Sequence, residues 1–145
     1  MSVSVHPTCV VGPGAELGEG TEVGPYAVIE SGVVVGQRCR IASHAIIREF
    51  TRMASDNQVF EHAVIGGTPQ DFGYSGARSS VRIGSGNLFR EGVTVHRACH
   101  REVLRVSRPT FLCRRRLGQV LRWRSCQADA VADDHVDSDD FRRGQ

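Results

Sequence analysis

The sequence predicts an all-β fold: a parallel β-helix wound in triangular coils of about 18 residues. Three observations predict it. Aliphatic residues recur at a strict spacing of six, as Val5, Val11, Leu17, Val23, Ile29, Val35, Ile41, Ile47, Met53, Val59 and Ile65, and Ile83, Phe89 and Val95 resume the same frame. Four residues after each aliphatic stands a second column of nearly all small residues: Cys9, Ala15, Thr21, Ala27, Val33, Cys39, Ala45, Thr51, Asn57 and Ala63, then Asn87, Val93 and Cys99. A third column, one residue after the aliphatic, is rich in glycine at Gly12, Gly18, Gly24, Gly36, Gly66 and Gly84.

The geometry follows from the period. In a strand, residues two apart point the same way, so the small residue and the next aliphatic both point inward. The two residues between repeats make a corner, and three strands with three corners close one coil. Coils then stack at the inter-strand spacing of about 4.8 Å, and each depends on its neighbours for backbone partners. An amphipathic helix needs a period of 3.6, which the spacing of six rejects. This is the hexapeptide repeat of β-helices. The period is similar to that of the left-handed form, an exception to the right-handed crossover rule. Cys9, Cys39 and Cys99 occupy the small inward column, where a thiol packs as a small hydrophobe. The five cysteines have no metal-ligand spacing.

Composition bounds the rest. A chain of 145 residues suits one domain. A net charge of +2 does not by itself call for nucleic acid. There is no apolar run long enough to span a membrane. The opening residues lack a basic segment followed by an apolar one, so the expected location is the cytoplasm. All 18 basic residues are arginine, a bias expected of GC-rich coding.

Residues 66–82 leave the pattern, since the slots at Asp71 and Ala77 are not large aliphatics. An interruption in a strict solenoid marks an external loop on one face. Its length reads as replacing one whole coil, so that Ile83 falls one full turn after Ile65. It is either a tolerated insertion or a loop that closes over a ligand at a neighbouring subunit.

Six segments carry a resemblance: His6-Pro7-Thr8, Asn57-Gln58-Val59-Phe60, Ile65-Gly66-Gly67-Thr68-Pro69-Gln70-Asp71, Tyr74-Ser75-Gly76, Ile83-Gly84 and Arg90-Glu91-Gly92-Val93-Thr94-Val95-His96-Arg97. In this order they resemble the N-terminal part of the acyl-carrier-protein-dependent UDP-N-acetylglucosamine O-acyltransferases, which begin lipid A synthesis. The resemblance covers about residues 5 to 98. It implies a left-handed helix and a homotrimer with active sites between subunits. It also implies transfer of a 3-hydroxyacyl group from acyl carrier protein to the sugar 3-hydroxyl. A histidine serves as general base, because a sugar hydroxyl is a poor nucleophile until its proton is taken. No metal and no cofactor is implied. By position, the substrate-binding residues are Gln70 and Asp71, in the sugar-binding loop, and His96, which lines the cleft.

Two departures stand out. The family often carries a lysine two residues after the loop aspartate, where this chain has Gly73. Its catalytic histidine lies in a His-x-x-His-Asp segment further along the chain than the Thr-x-His-Arg strand. Here the corresponding region reads Leu117-Gly118-Gln119-Val120-Leu121-Arg122-Trp123-Arg124-Ser125, without histidine. No catalytic residue is therefore assigned, and the chain alone is expected to be inactive.

The helix is expected over residues 1–99, with a non-repeat tail over 100–145. The tail holds ten of the 18 arginines and two of the 16 glycines. Arg105-Val106 and Thr110-Phe111-Leu112 are its only remnants of the pattern. It reads as translation out of frame, as a disordered charged tail, or as a basic binding segment. Rival functions are a non-enzymatic hexapeptide assembly or binding module, and another sugar acyl- or acetyltransferase. A third is a metal enzyme like the γ-type carbonic anhydrases, since His44 and His62 are 18 apart and stack at one corner, although no third ligand is evident.

Overall fold

The computed structural model describes residues 2–99 and 103–106, together with the backbone of 111–112. The remaining residues, including the region 117–125 and most of the 100–145 tail, lie outside the described residues. Short strands alternate with two-residue corners. The first coil holds β1 (Ser4–Val5), β2 (Val10–Val11) and β3 (Glu16–Leu17). The second holds β4 (Glu22–Val23), β5 (Val28–Ile29) and β6 (Val34–Val35). The third holds β7 (Arg40–Ile41), β8 (Ile46–Ile47) and β9 (Thr51–Met53). The fourth holds β10 (Gln58–Val59), β11 (Val64–Gly67) and β12 (Ser80–Ile83). The fifth holds β13 (Leu88–Phe89), β14 (Thr94–His96) and β15 (Val103–Val106), and β16 (Phe111–Leu112) follows.

These strands form three parallel sheets, ordered β1-β4-β7-β10-β13-β16, β2-β5-β8-β11-β14 and β3-β6-β9-β12-β15. The architecture is a left-handed parallel β-helix. Among the described residues no helix is long and apolar enough to cross a membrane.

The core is the two inward columns. Ile29, Ile41, Ile47, Met53, Ile65, Ile83 and Phe89 are at most 1% exposed, and so are the small residues between them. At the first coil the column runs out of cover. Val5 is 42% and Val11 40% exposed, with no coil beneath them among the described residues.

One of the three small columns is polar. Thr21, Cys39, Asn57 and Asn87 follow one another up a single corner and are all buried. They satisfy their polar atoms on the backbone of their own or a neighbouring coil, or on one another, as a dry interior requires. The Thr21 hydroxyl donates to the Gly36 carbonyl at 2.8 Å and accepts from Cys39 N–H at 3.2 Å. The Cys39 thiol donates to the Ala54 carbonyl at 3.1 Å, and burial pushes its pKa up. Both Asn57 Nδ2 hydrogens are used, on Ala54 and Gly84 carbonyls at 2.8 Å.

The second residue of most corners turns left-handed. Several are glycine, but Tyr26, Arg38, His44, Phe50, Asp56 and His62 also sit at φ between 51° and 63°. The conformation points the corner N–H at the coil below: Arg38 N–H meets Glu19 O at 2.9 Å, and Asp56 N–H meets Gln37 O at 2.9 Å. That bond offsets part of the steric cost of φ above zero, about 1–2 kcal/mol per residue.

The loop does not replace a coil. Partners are 18 apart through the first coils, as in Val23↔Ile41. Across the loop they are 30 apart: Val59↔Phe89, Ile65↔Val95 and Met53↔Ile83. The excursion between Gly67 and Ser80 thus inserts two hexapeptides' worth of chain at one corner, and Ile83 stacks on Met53 rather than on Ile65. Two added repeats keep the column in frame as well as three would. Beyond Cys99 two further strands join the sheets. β15 pairs with β12 (Val81↔Leu104, Ile83↔Val106) and β16 with β13 (Phe89↔Leu112). From Ile83 to Val106 the step is 23 rather than 18, so five additional positions intervene after the Val95 slot.

Candidate functional site at the loop corner

The loop leaves the helix through Gly66 and Gly67. Gly66 has φ of 84°, and a Cβ there would collide with the Thr51 hydroxyl, so the backbone turns away from the helix where a side chain cannot follow. Gly67 pairs in register with His96 of β14, after an irregularity in the ladder beyond Ile65. A Cβ on Gly67 would lie 2.9 Å from His96 Nδ1, so the imidazole occupies the space the glycine leaves. Arg97 N–H then donates to Gly67 O at 2.8 Å, fixing the strand beside the loop's base.

His96 Nδ1 lies 2.7 Å from the Thr68 carbonyl oxygen. A carbonyl only accepts, so Nδ1 carries the hydrogen and, in the neutral ring, Nε2 holds a bare lone pair. Nε2 is buried and finds no partner among the described residues. An unmet buried acceptor costs about 1–3 kcal/mol, which a ligand hydroxyl at that atom would recover.

The loop folds on itself. Asp71 Oδ1 accepts from Gly73 N–H at 2.8 Å, Tyr74 N–H donates to Asp71 O at 3.0 Å, and the Tyr74 hydroxyl donates to Ala77 O at 3.0 Å. This is an Asx turn followed by a tyrosine latch. Gln70 and Asp71 are both exposed on it, and Phe72 at its tip is fully exposed. Among the described residues neither Gln70 nor Asp71 bonds to His96; Thr68 ties the loop to that strand. At the loop's return, the guanidinium groups of Arg78 and Arg97 lie 5.7 and 5.1 Å from the Phe50 ring. Sequence reasoning misses Thr68, Gly66, Gly67 and the Phe50 cluster as parts of the site; the paired glycines directly after an inward aliphatic are the available signal.

His44 and His62 do stack, with ring centroids 5.0 Å apart, and Tyr26 extends the stack at 5.2 Å. Among the described residues no group of three or more His, Cys, Asp or Glu is placed to hold a metal ion.

Residues 14–49 match the bacterial transferase hexapeptide family (six repeats). The acyl-[acyl-carrier-protein]–UDP-N-acetylglucosamine O-acyltransferase of Trichlorobacter lovleyi is 55% identical over 95 residues, which is 66% of this chain and 36% of that protein. The repeat region is similar to about a third of that acyltransferase. The enzyme of the same name from Xanthomonas campestris pv. campestris is 47% identical over 93 residues, 64% of this chain and 35% of its own length. Among solved structures, the UDP-N-acetylglucosamine acyltransferase of Francisella novicida superposes with a TM-score of 0.70 at 32% identity, over 74% of this chain and 40% of that one. The Moraxella catarrhalis UDP-N-acetylglucosamine O-acyltransferase gives 0.63 at 33% identity, over 68% and 37%. The chain therefore spans little more than a third of the curated relatives it matches.

Proposed function

We propose that this chain supplies the sugar-nucleotide loop of a UDP-N-acetylglucosamine O-acyltransferase, and that by itself it does not turn over. The reaction would move a 3-hydroxyacyl group from acyl carrier protein to the sugar 3-hydroxyl, the first step of lipid A synthesis in the cytoplasm. The observation that carries this reading is the bond between His96 Nδ1 and the Thr68 carbonyl, which couples the strand and the loop that bear the resemblance. Asp71 spends one carboxylate oxygen on Gly73 N–H, and the second is available to a sugar hydroxyl. Gln70, exposed beside it, offers both a donor and an acceptor. His96 Nε2, with its lone pair, accepts from a further hydroxyl once the loop admits the sugar. No His-x-x-His-Asp segment stands in the sequence, so the group that would take the proton is not supplied by these residues.

A homotrimer is part of the proposal. The outward residues of the second sheet stack as Val10, Val28, Ile46 and Val64. Val10 is 59% exposed and the other three are half-buried, so a continuous aliphatic stripe faces outward from a two-sided solenoid wall. Such a stripe suits a protein interface.

The test is titration of UDP-N-acetylglucosamine into the full chain, alongside an acyl-transfer assay with 3-hydroxyacyl carrier protein. Saturable binding that weakens in Asp71→Ala and His96→Ala, with no acyl product, is expected. Absence of binding, or binding indifferent to both substitutions, would overturn the reading.

A further inference from the structure

Three charged pairs on successive coils join opposite signs. Glu22 and Arg40 face each other in register, with Nε 3.5 Å from Oε2. Arg48 Nε lies 2.8 Å from Glu30 Oε1. Arg38 donates to both Asp56 oxygens at 2.8 Å. The outward face of the third sheet is built differently. There Arg52, Arg82 and Arg105 stand in direct register on β9, β12 and β15. All three are exposed. Among the described residues no carboxylate pairs with any of them.

Strands about 4.8 Å apart hold these guanidinium groups where like charges directly opposite destabilise a sheet. Arg78 and Arg97 add two positive charges at the adjoining corner, over Phe50. Beside the ladder runs an open groove of about 430 Å³, lined by Arg52 and Arg82 together with Ser31 and Ser80. Glu49 is the one acid on its rim. Two forked cations at strand spacing, over a groove edged with hydroxyl residues, match an anion that carries several charges in a row.

We propose that this face binds an oligophosphate, a ligand with two or three linked phosphate groups laid across the coils along the arginine ladder. Arginine forks bond phosphate oxygens bidentately, and a bound polyanion converts the repulsion among Arg52, Arg82 and Arg105 into attraction. Arg52, Arg82 and Arg105 lie on β9, β12 and β15, outside the excursion between Gly67 and Ser80 that carries Gln70 and Asp71, and the groove adjoins that loop at Phe50.

The experiment is isothermal titration of the full chain with inorganic tripolyphosphate at low salt. It is repeated with R52Q/R82Q, with R40Q, whose arginine faces Glu22 on another sheet, and with D71A. Saturable binding is expected in wild type, R40Q and D71A, with affinity at least tenfold weaker in R52Q/R82Q. R82Q alone relieves repulsion, so it should melt no lower than wild type and bind with intermediate affinity. That variant keeps the test decisive if the double variant folds poorly. No saturable binding to wild type, equal affinity in the arginine variants, or an equal loss in R40Q overturns the proposal. So does a chain that takes up an acidic protein but not tripolyphosphate.

Discussion

Asn57 and Asn87 are 30 apart in sequence and stacked in space, with Asn57 Oδ1 accepting from Asn87 N–H at 2.8 Å and from Asn87 Nδ2 at 2.9 Å. The pair bridges the fourth coil, which carries the loop, to the fifth, and Asn87 Nδ2 also reaches the Gly84 carbonyl at 3.0 Å. Replacing Asn57 with alanine removes the acceptor of Asn87's backbone N–H and of one of its amide hydrogens in a dry core, and leaves the Ala54 carbonyl only the weaker Cys39 thiol. Asn57→Ala should cost about 3 kcal/mol in urea unfolding, and Asn57→Leu no less, since leucine restores volume but no bond.

Gly67→Ala tests the seat of His96. The added methyl meets the imidazole 2.9 Å away and must push it off the Thr68 carbonyl. UDP-N-acetylglucosamine binding should weaken by about tenfold, roughly 1.4 kcal/mol, with the melting temperature little changed. Gly66→Ala is the harsher change, because left-handed backbone and collision with Thr51 act together, and it should lower the melting temperature as well.

The Arg38–Asp56 pair predicts a sign for acid sensitivity. The Arg38 hydrogen bonds hold the Asp56 carboxyl below its usual pKa. The unfolded chain therefore binds a proton at a higher pH than the folded one. The pair's stabilisation is present above the ordinary aspartate pKa of about 3.9 and fades as pH falls through the lowered folded value. Both side chains are about half exposed, at 51% and 49%, so the effect is small and screened by salt. Melting curves between about pH 2 and pH 5 should show a shallower loss for Asp56→Asn than for wild type.

Ile46→Asp places a carboxylate in the aliphatic stripe of the second sheet, between Val28 and Val64. If that stripe joins subunits, light scattering should show trimers for wild type and monomers for the variant, with the coils still folded by circular dichroism. A monomeric wild type at the same concentration would remove the stripe's assigned role.

Much of the fold is legible in the sequence because its period is set by side-chain direction. Every inward aliphatic from Val23 to Val95 is buried, as the spacing of six requires. The face on which each strand lies is less legible. Column counting cannot distinguish two added repeats from three, so it places Ile83 on Ile65 when the residue packs on Met53. Likewise a step of five hides Val106, although Arg105-Val106 and Phe111-Leu112 stand out as remnants. The stack of His44 on His62 is readable from their separation, and Tyr26, one coil further back, is readable by the same rule. At the site, the motif marks His96 and the loop. It gives no sign that a backbone carbonyl, Thr68 O, is the contact between them, since any residue type supplies one.

The bare first coil sets where the molecule opens. Ser4, Val10 and Glu16 each donate their N–H upward, to Thr21, Ala27 and Val33 carbonyls. Among the described residues nothing below shields these bonds, and Val5 and Val11 in the same coil are two-fifths exposed. In a stack where each coil leans only on its neighbours, fraying starts at the uncovered end and moves inward one coil at a time. Amide hydrogens should then exchange with deuterium in a gradient: fastest at Ser4 and Val10, slower at Glu22 and Val28, slowest at Arg40 and Gln58. The solenoid behaves as a zip with a loose tab at one end.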